Sequence, residues 1–341
     1  AISCNILQDS VMKFPPTYSL TSTISRLVYD LDVLRAASDL RPIPKMHMQF
    51  LRQSSILKSS LFSARIERNP LTINDIQRAD MDVNSQDVHT REVTNLVNAY
   101  ESLDVRKDRL LSREMLKEMH KAVMNQLSHS AGSLRMEESA IFNQVGVAVY
   151  LTPAPRDISG LLDNLIAWVI GAADPVPIAA AVSHIWFEKI HPFDDGNGRV
   201  GRLLSNFILT HGGYGFGGIV PFEEYLEAHR QDYYDVLGKD RQDVTEFVEF
   251  FLGAMVSQVK TSLSSVEGAP VIQHSDLSPR RSEIAKIVRE HKLVSFDFIS
   301  RRFLRIPTRT LHNDLAQLLK AGYIRRLGTT RGALYAPGEK V

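Results

Sequence analysis

Between His191 and Arg202 the chain places a titratable base, a carboxylate oxygen donor, a glycine-flanked turn and two arginines. The run reads His191-Pro192-Phe193-Asp194-Asp195-Gly196-Asn197-Gly198-Arg199-Val200-Gly201-Arg202. It opens straight into an apolar-periodic segment, because Val200, Leu203, Leu204, Phe207 and Ile208 fall at helical spacing. A glycine turn feeding a helix points several backbone N–H groups at one spot. The helix dipole adds positive charge there, so the spot suits an anion. Arg199 and Arg202 share a face of the first turn. Two guanidinium forks beside such a nest suit a polyphosphate. Asp195 supplies the hard oxygen that a Mg²⁺ bridging phosphates needs, and can also cap the helix. A turn that merely starts a helix explains Gly196 and Gly198 but leaves the histidine, the carboxylate and the arginines without a role.

The elements that must carry this loop follow from pattern. Ile24 to Leu40 has helical periodicity, Pro42 and Pro44 break it, and Lys45 to Ile66 predicts a second helix ended by Asn69-Pro70. Residues 91 to 128 predict further amphipathic helices. Gly132 to Pro155 is less helical, and Val145 to Tyr150 within it predicts a strand pair or flap. Ile158 to Ile170 and Val176 to Ile190 return to helix, with Pro192 stopping the latter just past His191. Phe222 to Gly238 and Asp243 to Val266 complete the helices before a polar linker at 267–277.

Composition sets the frame. The 341 residues favour two or three domains, and 44% hydrophobic with 23% charged residues is an ordinary soluble balance. The most apolar run, Leu161 to Trp186, contains Asp163, Asp174, Pro175 and Pro177, so core helices are expected rather than a membrane span. No basic-then-apolar leader layout opens the chain. Cys4 is the single cysteine, which excludes an internal disulfide and makes a reducing cytoplasm the expected location. Charge is uneven. From Ser278 onward there are 14 Lys and Arg against 5 Asp and Glu, while the remainder carries 26 against 34. An acidic body with a basic end implies different partners for the two parts.

The 191–202 run resembles the Fic family signature H-x-F-x-[D/E]-G-N-G-R-x-x-R at every defined position. The resemblance extends over about residues 90 to 265, including the apolar helix before the motif, the flap segment and Tyr233-Tyr234. It implies a mainly α fold in which the motif joins two central helices and a small β-hairpin flap covers the site. It implies transfer of AMP from ATP to a Ser, Thr or Tyr hydroxyl of a protein. His191 is then the general base, which suits a side chain that titrates near neutral pH. Asp195 holds Mg²⁺ on the α- and β-phosphates. Gly196, Asn197 and Gly198 form the anion hole, Arg199 faces the β-phosphate and Arg202 the γ-phosphate. Phe193 packs beneath the loop, and Asp194 is a second carboxylate of undecided role. Val147, Ala148, Val149 and Tyr150 of the flap hold the target by strand pairing.

Ser63-Ala64-Arg65-Ile66-Glu67 resembles the family's inhibitory motif [S/T]-x-x-x-E-[G/N] in members that carry it N-terminal to the core. The resemblance makes about 45–68 an inhibitory helix in which Glu67 pairs with Arg202. One arginine fork cannot serve a carboxylate and a phosphate together. Arg68 departs from the pattern; it stands where glycine or asparagine ends the helix without steric cost, and its charge could engage Glu67 and loosen the brake.

After Ser278-Pro279, a helix to His291, a second over about Phe296 to Phe303, a third from Pro307 to Gly322 and strands at 323–327 and 333–336 resemble a winged helix. Arg309, Thr310, His312 and Asn313 would face a major groove, with Arg325, Arg326 and Arg331 on phosphates. Protein docking is the competing role for this basic surface.

The expected organisation is thus an N-terminal helical region (1–90), a Fic core (91–266), a linker (267–277) and a winged helix (278–341). The expected function is self-inhibited AMP transfer with ATP as substrate, Mg²⁺ as cofactor and a hydroxyl-bearing protein, including the chain itself, as acceptor. Relatives imply a homodimer; no membrane partner is expected. Three alternatives stay open: removal of AMP with Glu67 orienting water, transfer of UMP or another phosphate-linked group, and an ATP-sensing DNA-binding regulator.

Overall fold

The computed structural model describes residues 13–40, 43, 45–78, 87–105, 110–142, 148–239, 242–268, 277–303, 306–328 and 333–338. The chain divides into two compact units, 1–268 and 269–341.

The first unit is mainly helical. Its helices are α1 (Ser22–Leu40), α2 (Lys45–Ile66), α3 (Ile73–Arg78), α4 (Val88–Val105) and α5 (Arg113–Val123). The hairpin β1 (Ala140–Phe142) and β2 (Ala148–Leu151) follows, then α6 (Pro155–Gly171), α7 (Val176–Ile190) and α8 (Asn197–His211). α9 (Phe222–Ala228), α10 (Arg230–Gly238) and α11 (Thr245–Gly268) complete it. Every residue of α7 from Pro177 to Ile190 is buried, the mark of a helix enclosed on all sides. α7 packs extensively on α8, and α6 and α11 also lie against α7. α5 and α4 flank α8, and α2 lies against α4 and α9. The short 191–196 connection between the two central helices is therefore held by a continuous apolar core. Among the described residues no helix is long and apolar enough to cross a membrane.

The expected flap is a true antiparallel pair, with Ala140 opposite Leu151 and Ile141 opposite Tyr150. The single helix expected over Phe222 to Gly238 is two. His229 leaves helical geometry (φ −116°, ψ 38°), and there its ring stacks on Tyr225 at 4.0 Å and its Nδ1 lies 3.0 Å from the Tyr225 carbonyl. The expected linker begins inside a helix, since α11 continues to Gly268; residues 269–276 lie outside the described residues.

The second unit runs α12 (Pro279–His291), β3 (Val294–Ser295), α13 (Phe296–Ser300), α14 (Thr308–Lys320), β4 (Ile324–Leu327) and β5 (Leu334–Pro337). The short β3 was not expected; it makes the hairpin a three-stranded antiparallel sheet in the order β3-β5-β4. Ile284, Val288, Ile299, Leu311, Leu315, Leu318 and Tyr335 share its core. Asp314 is buried on α14, where the Nε atoms of Arg280 and Arg281 grip its carboxylate.

Candidate active site

His191 follows α7 in the left-handed conformation (φ 49°, ψ 60°), its N–H closing the helix on Phe187 O at 3.0 Å. A non-glycine residue stays there only when its surroundings hold it. Buried Arg135 provides the hold. Its Nε donates to His191 O (2.8 Å), Nη1 to Glu137 O (2.7 Å) and Nη2 to Pro153 O (2.5 Å). One guanidinium thus fastens the turn to both flanks of the β1–β2 hairpin. The His191 Nδ1 lies 3.2 Å from Glu188 O. A carbonyl only accepts, so Nδ1 carries the proton and Nε2 keeps its lone pair. Burial lowers the His191 pKa against the opposing bond to Glu188. The imidazole is therefore neutral, with a basic Nε2, at neutral pH.

The loop is fastened from beneath and within. Phe193 is buried, its ring stacked on His120 at 3.8 Å. Asn197 accepts from the Phe193 N–H (3.0 Å) and donates to the Phe193 carbonyl (2.8 Å). That side chain braces the loop from within, while the Asn197 main-chain N–H stands at the start of the next helix. Gly132 N–H donates to His120 Nδ1 (2.9 Å), so His120 Nε2 carries a hydrogen and donates to Asp195 O (3.0 Å). Gly196 has φ 81°, and a Cβ there would stand 2.8 Å from Met124 Sδ. Only glycine fits both demands. The first intrahelical bond of α8 runs from Val200 N to Gly196 O, so the N–H groups of Asn197, Gly198 and Arg199 have no intrahelical acceptor.

Glu67 covers that helix start. A Cβ on Gly198 would lie 2.4 Å from Glu67 Oε1, so the carboxylate rests against the bare α-carbon. Buried Arg202 donates from Nη2 to Glu67 Oε1 (2.9 Å) and to Ser63 O (3.0 Å), and from Nε to Ser63 Oγ (2.9 Å). Burial opposes the Arg202 charge, but Glu67 together with Tyr233 and Tyr234 raises its pKa above the ordinary value. Arg68 takes φ 71° at the end of α2, with Arg68 N on Arg65 O and Asn69 N on Ala64 O. This is the bond pair of a left-handed helix end, made here without glycine. Arg68 is exposed, and Glu67 is committed to Arg202.

Arg199 is held by two carboxylates: Nη1 meets Glu92 Oε1 at 2.6 Å and Nη2 meets Asp195 Oδ1 at 2.9 Å. The Asp195 side chain is 68% exposed. Among the described residues no cluster of three or more His, Cys, Asp or Glu could hold a metal ion. One exposed carboxylate completed by phosphate oxygens and water is an ordinary Mg²⁺ donor set, so the residues fit a cation that arrives with a nucleotide.

Behind the loop lies a directional chain. Tyr233 OH donates to His184 Nε2 (2.8 Å), His184 Nδ1 donates to Ser205 Oγ (2.9 Å), and Ser205 donates to Gly201 O (2.9 Å). Burial lowers the His184 pKa to about 3, which keeps it neutral. Burial also raises Glu188 to about 8, and among the described residues its buried Oε1 has no hydrogen-bond partner.

Elsewhere the expected residues fall apart by exposure. Tyr150 is buried with Lys189 Nζ 4.4 Å over its ring, so its side chain faces the core. Ala148 and Val149 lie in β2, while Val147 lies outside the described residues. Arg309, His312, Asn313, Arg325 and Arg326 are exposed, and Thr310 is half-buried. The His312 ring stacks on Phe296 at 4.0 Å. Arg331 lies outside the described residues. Sequence reasoning missed Asn69, Glu92, His120, Arg135 and His184. Glu92 and His120 had a signal, a polar residue inside an apolar helical face; Arg135 had none.

Residues 110–209 match the Fic/DOC family. The chain is 28% identical to a protein adenylyltransferase Fic of Aedes aegypti over 239 residues, 66% of this chain and 44% of that protein. It is 32% identical to one of Culex quinquefasciatus over 152 residues, 43% of this chain and 28% of that protein. The chain thus spans less than half the length of these curated relatives. In structure it is similar to a Fic family protein from Desulfovibrio desulfuricans G20 (TM-score 0.67, 23% identity, 96% of this chain and 99% of that one). It is also similar to Fic-1 from C. elegans (TM-score 0.58, 19% identity, 72% and 73%). These likenesses concern the fold. With the loop geometry and the sequence match together, the chain carries a Fic domain.

Proposed function

We propose that the chain transfers AMP from ATP to a protein hydroxyl and that α2 holds it in a self-inhibited state. The observation that carries this reading is Glu67 seated on Arg202 and Gly198, where an anion would bind. On this reading His191 Nε2 takes the hydroxyl proton as the oxygen attacks the α-phosphorus. The bond from that phosphorus to the bridging oxygen breaks, and pyrophosphate leaves. The N–H groups of α8 receive the phosphates, Arg199 the β-phosphate and Arg202 the γ-phosphate. Mg²⁺ on Asp195 supplies charge neutralisation when bound. With Glu67 in place, Arg202 Nη2 is taken by Glu67 and Ser63, so a phosphate loses that donor, ATP sits misaligned and transfer is slow. Incubation with ATP and Mg²⁺, read by mass spectrometry of the intact chain, tests this. Wild type should gain little AMP, Glu67→Gly clearly more, and Glu67→Gly/His191→Ala none. Equal incorporation by wild type and Glu67→Gly removes the self-inhibition.

The C-terminal unit is read as a winged helix that binds duplex DNA. Arg309, His312 and Asn313 are exposed on α14 at spacings that share a face, in a unit rich in Lys and Arg. Duplex affinity that falls steeply with salt supports this. No binding at low salt ends it.

A further inference from the structure

The end of the inhibitory segment does more than place Glu67. Asn69 is buried just past α2, and its Nδ2 donates both to His89 O (3.0 Å) and to Glu92 Oε2 (2.8 Å). Its Oδ1 accepts from Leu71 N–H (3.0 Å), so the amide is fixed on both sides. The other Glu92 oxygen takes Arg199 Nη1 at 2.6 Å. A continuous path thus leads from the end of α2 to the first arginine of the motif.

The two ends of the Arg199 guanidinium differ. Glu92 and Arg199 are 11% and 7% exposed in their side chains, whereas Asp195 on the other end is 68% exposed. A solvated partner is exchanged for a phosphate at little cost, while a buried one leaves an uncompensated charge if it departs. Glu92 is the fixed anchor and Nη2 the working end. Asn69 satisfies the second Glu92 oxygen, which burial would otherwise leave with one partner fewer.

We propose that Glu92 and Asn69 are positioning residues that hold Arg199 toward phosphate, so that the helix end restraining Arg202 also prepares Arg199. This rests on reading the loop as a triphosphate site. It follows that the segment ending at Asn69 is both brake and support.

The test measures ATP and adenosine affinity by calorimetry in the full chain, with Glu67→Gly as background. Adding Glu92→Gln should weaken ATP about tenfold and leave adenosine unchanged, because only the phosphates meet Arg199. Asn69→Ala should act in the same direction, less strongly, and thermal melts identify any variant that fails to fold. ATP affinity within twofold of background, tighter ATP, or equal weakening of ATP and adenosine overturns the assignment. If the Glu67→Gly background does not prefer ATP over adenosine, the triphosphate reading fails and takes the assignment with it. If that background prefers ATP but moves no AMP, transfer fails while the Glu92 effect on phosphate affinity still supports the positioning role.

Discussion

The motif loop and the C-terminal unit use the same residue types in opposite ways. Around the loop, Arg135, Arg199, Arg202, Glu92 and Glu188 are buried, and each guanidinium is fixed by named oxygens. In the C-terminal unit Arg309, Arg325 and Arg326 lie at the surface, and the buried charge is Asp314 under two arginines. Burying a charge without partners is costly, so a buried arginine implies a specified geometry. An exposed arginine implies only a field that a partner can use. The first region therefore constrains chemistry residue by residue, whereas the second constrains the sign of its partner.

Substitutions can break that comparison, starting with the largest effect. Arg135→Ala removes the donor shared by three backbone carbonyls and should destabilise the first unit by about 3 kcal/mol, read from urea unfolding. It should also free His191 and abolish AMP incorporation in the Glu67→Gly background. A loss below 1 kcal/mol would mean that water replaces the guanidinium easily and that burial here does not imply fixed geometry.

Glu188 gives an effect of intermediate size that depends on pH. Its folded pKa is about 8 against an ordinary 4.5, so the folded state keeps a proton that the unfolded chain releases. Stability must fall as pH rises through that window. Glu188→Gln removes this titration, so its urea midpoint should fall less than that of wild type between about pH 5 and about pH 9. Parallel decline in both proteins would assign the pH dependence elsewhere.

The smallest effect is expected in the other region. Arg309→Ala should change stability by no more than about 0.5 kcal/mol, as at most surface positions. It should still weaken binding to a preferred duplex by about 1–3 kcal/mol and relax the sequence preference. A large loss of stability would show that Arg309 is structural and that the two regions are alike.

Much of this was legible in the sequence because it is periodic or local. The helix over 45–66 and the one over 176–190 have the expected bounds, since apolar spacing and prolines mark them. His191, Gly196, Arg199 and Arg202 gather within one turn and the helix it opens, so their proximity follows from chain connectivity. Ser63 and Glu67 required the family likeness, because nothing local says that they meet Arg202 more than a hundred residues away. Asn69, Arg135 and Glu92 required the tertiary structure. Their partners are backbone carbonyls and side chains distant in sequence, and hydrogen bonds of that kind leave no period. The break at His229 was likewise hidden, since no proline or glycine marks it.

The central claim is that Glu67 and a phosphate compete for Arg202. A crystal structure of Glu67→Gly with a non-hydrolysable ATP analogue tests it most directly. The account predicts the terminal phosphate within hydrogen-bond distance of Arg202 and His191 Nε2 facing the α-phosphorus. A triphosphate lying away from Arg202, with that arginine still bound only to Ser63, would contradict it.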